Sequence, residues 1–276
     1  YVRYLLTWTN ADGITHSQAP SKEKPNRWIN LGEWVAPGEL PPDEMIHTFF
    51  LWRCADFTAK AARALGKKND CEYFTSLAEK TKKAFLNRFY DSEKGTYGPS
   101  GGNVFALKMG VPDDQKEKVI SALKANIKAN DDHLDTGIFG TQFLFEVLAE
   151  NGLNDLACTI MNQRTQPGYG WWIEQGATTT WEQWDGSNSR NHPMFGGGLV
   201  WFYRKLAGMN VNPEEPGYKN IIFRPQPPSD VNYASYSNLT PCGIAGIDWK
   251  KEDSRFLMHV NIPVGSTAWV YVPASS

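Results

Sequence analysis

The sequence predicts a mainly α chain of helical hairpins in series, closed by a small antiparallel β domain. Three observations carry that prediction. From Pro41-Pro42-Asp43-Glu44 to Leu206, apolar residues recur at helical spacing and are punctuated by Gly, Pro and Asn. Between Gln166 and Pro193 that rhythm breaks in a stretch rich in Gly, Thr and Trp, which reads as a long functional loop. Beyond Asn212-Pro213-Glu214-Glu215-Pro216-Gly217 the apolar period falls to two, in short runs.

The opening Tyr1-Val2-Arg3-Tyr4-Leu5-Leu6 reads as the inside of an amphipathic helix with no signal sequence ahead of it, and the expectation is a portion of a longer polypeptide. Ile46, Phe49, Phe50, Phe57, Ala61, Ala64 and Leu65 mark the first long helix, stopped at Gly66. A second runs from about Asn69 to Phe89, with Phe74, Leu77, Ala78, Thr81, Phe85 and Phe89 on one face, and completes a helical hairpin. Further helices are expected over residues 102–109, 113–127, 136–149, 154–163 and 193–206. Strands are expected over 220–224, 234–237, 244–250, 256–262 and 268–272, with clean alternation in Phe256-Leu257-Met258-His259-Val260-Asn261-Ile262. The expected division is residues 1–215 for the helical domain and 216–276 for the β domain.

Composition excludes several functions. The 276 residues carry 28 Lys+Arg against 30 Asp+Glu, a formal charge of -2, which leaves no electrostatic footprint for nucleic acid or an anionic membrane surface. No run approaches the ~18 apolar residues of a membrane span. Cys54, Cys71, Cys158 and Cys242 are scattered without a Cys-x-x-Cys pair, so neither a zinc site nor a disulfide framework is indicated. No phosphate loop or Gly-x-Ser-x-Gly nucleophile motif occurs, and His133-Leu134-Asp135 has no second His at ligand spacing. No metal or organic cofactor is expected.

Eleven Trp are present, and Trp171, Trp172, Trp181, Trp184 and Trp201 fall within 31 residues. Glu182 lies between two of them. Aromatic surface beside a few polar groups suits a sugar, which offers a C–H face to a ring and hydroxyls to hydrogen-bonding side chains. Flanking rings would also strip water from Glu182 and fit it for acid or base work. The competing reading of the same residues is plain packing between loop and helices. His192 precedes the last helix at the end of this loop, and Trp34 sits in another Pro/Gly-marked segment; each is a candidate sugar contact whose alternative is a structural anchor.

Four runs in fixed order carry a resemblance. They are Leu31-Gly32-Glu33-Trp34, Leu134-Asp135-Thr136-Gly137-Ile138-Phe139-Gly140-Thr141, Gly176-Ala177-Thr178-Thr179-Thr180-Trp181-Glu182-Gln183-Trp184-Asp185 and Asn191-His192-Pro193-Met194-Phe195-Gly196. With Ile221-Ile222-Phe223-Arg224-Pro225 and the short β domain, they resemble the bacterial α-L-rhamnosidases of glycoside hydrolase family 78 along nearly the whole chain. The resemblance implies an (α/α)6 toroid, of which only part is expected in these residues, followed by a C-terminal β-sandwich. It also implies release of terminal α-L-rhamnose with inversion, from a rhamnose-containing oligosaccharide or glycoside.

By the same match Glu182 is the expected general base, and Trp34, Trp181, Trp184 and His192 should help form the rhamnose pocket. The family's general acid belongs to an Arg-Asp-Glu-Arg-type motif that residues 1–276 do not contain. The chain is therefore expected to carry the base without the acid, to need an upstream part of the same polypeptide, and to be inactive alone. Gln183 stands where the family often has Arg. Alternatives are a toroid glycosidase for another terminal sugar, a non-catalytic carbohydrate-binding module, and a purely structural helical domain.

Overall fold

A computed structural model of the protein describes residues 1–16 and 32–274, so Leu31 of the first motif lies outside the described residues. The chain divides into two compact units, Tyr1–Phe143 and Leu144–Ser276. In the first, the short helix α1 (Val2–Leu6) buries Val2 and Leu5 against Leu51, with Phe74 and Leu77 packed beside them. Helix α2 (Asp43–Ala64) begins directly after Pro42, with Asp43 and Glu44 in its first turn. Carboxylates there complement the partial positive charge of unpaired N–H groups. Gly66 adopts φ +67° and turns the chain into α3 (Lys68–Phe89), completing the expected hairpin.

The hairpin α4 (Ser100–Met109) and α5 (Asp113–Ala129) follows, then α6 (Ile138–Glu150). Phe49 anchors the core of this unit, its ring 4.7 Å from that of Phe105 and 5.4 Å from that of Phe143. Phe57 and Leu65 of the expected apolar stripe are exposed instead. The buried face past Leu51 runs through Ala55, Ala59 and Ala62, and Phe57 falls off it.

In the second unit, α7 (Asn154–Met161) precedes α8 (Tyr169–Glu174), a short helix inside the stretch expected to be loop. Tyr169 and Trp172, three residues apart, share one buried face of this short helix. The last expected helix is shorter: α9 (Gly196–Trp201) passes into a π-helical turn, Phe202–Ala207, that ends at Gly208. Gly208 has φ +92°, and a Cβ there would lie 2.2 Å from the Pro225 nitrogen. Gly208→Ala is therefore expected to lower stability by ~1–3 kcal/mol, read as an earlier midpoint in urea unfolding.

Two three-stranded sheets follow. Strands β1 (Met209–Val211), β2 (Asn220–Phe223) and β6 (Thr267–Val270) form one, in the order β1-β2-β6. Strands β3 (Tyr233–Thr240), β4 (Gly243–Glu252) and β5 (Arg255–Asn261) form the other, entirely antiparallel. The chain is thus mainly helical with a small β domain that is antiparallel except for the β2–β6 pair, which runs parallel with Ile222 opposite Trp269. Strand β1 escaped the sequence reading because three residues cannot display alternation; pairing with β2 makes it, with Met209 opposite Phe223. On β4, Ala245, Ile247 and Trp249 are buried while Ile244, Asp248 and Lys250 are exposed, a period of two broken only at Gly246, which is buried as well. The Trp249 indole N–H donates to the Leu206 carbonyl at 2.9 Å, tying this sheet to the end of the helical segment.

Candidate active site

The loop after α8 is closed by pairing of its two arms. His192 N–H donates to the Thr180 carbonyl at 2.8 Å, and the Thr180 hydroxyl donates to the His192 carbonyl at 2.6 Å. Further along, Glu182 N–H donates to the Ser189 carbonyl at 2.8 Å, and the Ser189 N–H donates to Glu182 Oε2 at 3.3 Å. Glu182 and His192 are therefore both fixed on the paired arms. His192 Nδ1 accepts the Met194 N–H at 3.2 Å, which leaves the ring proton on Nε2 as a donor.

Beneath the arms the aromatic residues stack. The Trp184 ring lies 4.2 Å from that of Trp172 at an interplanar angle of 19°, and 4.4 Å from that of Phe195. Tyr169 meets both indoles edge-on and donates its hydroxyl to the Phe195 carbonyl at 2.6 Å. Trp181 packs on Trp171 and Trp172 from one side and carries the Arg190 guanidinium 4.7 Å from its ring centroid. Gly186, at φ +78°, sits against the Trp181 ring where a Cβ would approach to 2.6 Å.

Trp181 and Trp184 are each only 4 % exposed, whereas Glu182 is half-buried. The indoles thus spend their surface on one another, and sequence neighbours of Glu182 do not enclose it. Trp181 is thus part of the cluster while Glu182, next to it in a bend of the arm, stays half-buried. A separate apolar recess of about 820 Å³, lined by Tyr169, Trp172, Leu199, Trp201 and Phe202 among others, does not include Glu182, His192, Trp181 or Trp184.

In the first unit, residues 32–38 are knit to 134–141. Trp34 is half-buried, and its carbonyl accepts the Ile138 N–H at 3.1 Å. The Gly38 N–H donates to the Asp135 carbonyl at 3.2 Å. Glu33, to which the motif alone assigns no role, is 2 % exposed, and its Oε1 accepts the Gly140 N–H at 2.6 Å. Its Oε2 is buried with no partner among the described residues. Burial pushes the Glu33 carboxyl up to about 8, against the opposing pull of the Gly140 and Gly137 N–H groups.

Asp135 is 7 % exposed and also raised by burial; its Oδ2 accepts the Ser100 hydroxyl at 2.6 Å. A carboxyl beside a Trp in a Gly-marked motif was the available signal for Glu33, but nothing in a sequence says which acid will be buried. His133 Nδ1 lies 2.9 Å from the Asp131 carbonyl oxygen and 3.1 Å from that of Asn130. No group of three metal-ligating side chains converges among the described residues.

Glu33 has a measurable consequence. Between the ordinary glutamate value of 4.5 and about 8, the folded chain holds a proton that the unfolded chain has lost. The stability contributed by the neutral carboxyl is therefore complete below the ordinary range and is lost as pH rises toward 8, by up to roughly 1.4 kcal/mol per pH unit. Glu33→Gln is expected to flatten the pH dependence of urea unfolding across that window. Asp135 shifts in the same direction but is present in both proteins, so it cancels in the comparison.

Helical hairpins followed by a small β domain, with Glu182 and His192 on the paired arms of one aromatic-rich loop, define the class of architecture to which the chain belongs. A model of the bacterial α-L-rhamnosidase six-hairpin glycosidase domain matches residues 6–206, and one of the bacterial α-L-rhamnosidase C-terminal domain matches residues 208–276. The chain belongs to the bacterial α-L-rhamnosidase family.

It is 32% identical over 256 residues to an α-L-rhamnosidase of Streptomyces avermitilis, covering 88% of this chain and 24% of that protein. An α-L-rhamnosidase of Formosa agariphila is 30% identical over 284 residues, covering 95% of this chain and 30% of that protein. Among solved structures, an α-L-rhamnosidase from Dictyoglumus thermophilum superposes with TM-score 0.88 at 35% identity, over 99% of this chain and 31% of that one. The Streptomyces avermitilis enzyme complexed with L-rhamnose also gives 0.88, at 30% identity, over 100% and 26%. The chain spans about a quarter to a third of the length of these relatives.

Proposed function

We propose that this chain forms the base-bearing part of an inverting α-L-rhamnosidase that releases terminal α-L-rhamnose from an oligosaccharide or glycoside. The observation that carries the reading is Glu182, held half-exposed on a hydrogen-bonded arm within the ordered set of family motifs. In an inverting glycosidase one carboxylate draws a proton from water on the ring face opposite the leaving group, while a carboxylic acid roughly 6.5–9.5 Å away protonates the departing oxygen. Glu182 takes the first role. His192, with its proton on Nε2, donates to a sugar hydroxyl. Trp181 and Trp184 serve as the packed floor that fixes the arm, and Trp34 is a further sugar contact assigned on the resemblance.

The second carboxyl comes from the acidic motif that the family carries and residues 1–276 lack. Glu33 is protonated at neutral pH, as an acid should be, yet its Oε2 is sealed from solvent and its Oε1 is engaged by Gly140. A perturbed carboxyl is a functional candidate only where a reactant can reach it. The test is proton NMR of aryl α-L-rhamnoside hydrolysis by the natural polypeptide that carries these residues. β-L-rhamnose is expected as the first-formed anomer; α-L-rhamnose appearing first would overturn the inverting assignment. Residues 1–276 alone are expected to show no turnover, and normal rates from them would remove the argument for an acid elsewhere.

A further inference from the structure

We propose that Glu33 is a positioning residue: its buried side chain, clamped to the start of α6, holds the backbone turn that presents Trp34 to the sugar. The inference rests on the reading of Trp34 as a sugar contact. Four observations on one short segment support it. The Glu33 carboxyl accepts the Gly140 N–H at 2.6 Å while the carbonyl of the next residue, Trp34, accepts the Ile138 N–H at 3.1 Å, so side chain and main chain grip two N–H groups of the first turn of one helix. Val35, immediately after, adopts φ +57°, a left-handed conformation that a β-branched residue takes only when its surroundings impose it.

The fit allows no slack. A Cβ on Gly137 would lie 2.5 Å from the Trp34 carbonyl oxygen, and one on Gly140 would lie 2.8 Å from Glu33 Oε1. On the other side, Gly32 abuts the Asp43 carboxyl at the start of α2, at 2.7 Å from its notional Cβ. The Trp34 turn is thus pinned between α2 and α6, and Glu33 supplies the side-chain bond of that grip. Its second oxygen is buried with no partner among the described residues, out of a substrate's reach, so the residue acts through its neighbour rather than on substrate.

The experiment has two readouts. In the chain labelled with 5-fluorotryptophan, the Trp34 resonance, assigned by Trp34→Phe, is expected to shift or broaden in Glu33→Ala and to stay in place in Glu33→Gln, which keeps an acceptor for Gly140. Glu33→Leu fills a similar volume without an acceptor for the Gly140 N–H and answers the question if the Ala variant does not fold. An unmoved Trp34 resonance in the Ala or Leu variant overturns the clamp whatever the activity.

In the natural polypeptide, Glu33→Leu is expected to raise KM for an aryl rhamnoside about tenfold with little change in kcat, as expected for a displaced contact. It should add nothing in a Trp34→Ala background, because the two residues act as one. A full additional rise in that background overturns the proposal. If Trp34→Ala itself leaves KM unchanged, the sugar-contact reading fails, and the fluorine signal still decides the clamp separately.

Discussion

Glu182→Gln is expected to lower turnover of an α-L-rhamnoside by about 10²–10⁴-fold in the natural polypeptide, the usual contribution of a positioned base, while L-rhamnose binding persists. The amide retains the volume of the carboxylate, and its Oε can still accept the Ser189 N–H that meets Glu182 at 3.3 Å, so the arm keeps its shape. What it loses is the ability to take a proton from water. The arm itself is held chiefly by main-chain bonds and Thr180, from 2.6 to 2.8 Å, that the substitution does not touch. Steady-state kinetics beside calorimetric rhamnose titration separate the two effects. Retained turnover would assign the base to another residue; joint loss of binding and turnover would mean that Glu182 serves the arm's structure.

Trp184→Ala carries the largest expected cost in stability, ~3–5 kcal/mol, the range for truncating a buried Trp. The indole is 4 % exposed and stacked on Trp172 and Phe195, so its removal opens a cavity in the cluster that supports the loop. Its N–H is buried with no partner among the described residues, so substitution forfeits no hydrogen bond there. Trp184→Phe should accordingly recover much of the loss. Urea unfolding of the chain measures both. A cost below ~1 kcal/mol for Ala would mean that the ring is a surface platform, contrary to its packing.

The helical hairpins were legible because a 3.6-residue apolar period survives in any register. The first long helix was expected from the Pro41-Pro42-Asp43-Glu44 run to a stop at Gly66, and α2 runs Asp43–Ala64; α3, expected from about Asn69, starts at Lys68. Where short elements lean on distant partners, periodicity carried nothing. Strand β1 exists through β2, and α8 through the burial of Tyr169 and Trp172, so neither could announce itself. The parallel pairing of β6 with β2 joins residues 47 positions apart, Asn220 with Thr267, and no local pattern encodes it.

Of the candidate site, the sequence by itself determined the chemistry on offer: Glu182 and His192 in one aromatic loop, and an ordered set of motifs that names a family. Only the tertiary structure decided which side chains face inward. It buried Trp181 and Trp184 in a stack, left Glu182 half-exposed, and sealed Glu33 and Asp135 away from water. The reason is that burial is a property of surfaces brought together from far apart in the chain. A carboxyl's ionisation follows its solvation, and solvation is set only when residues as remote as Glu33 and Gly140 meet.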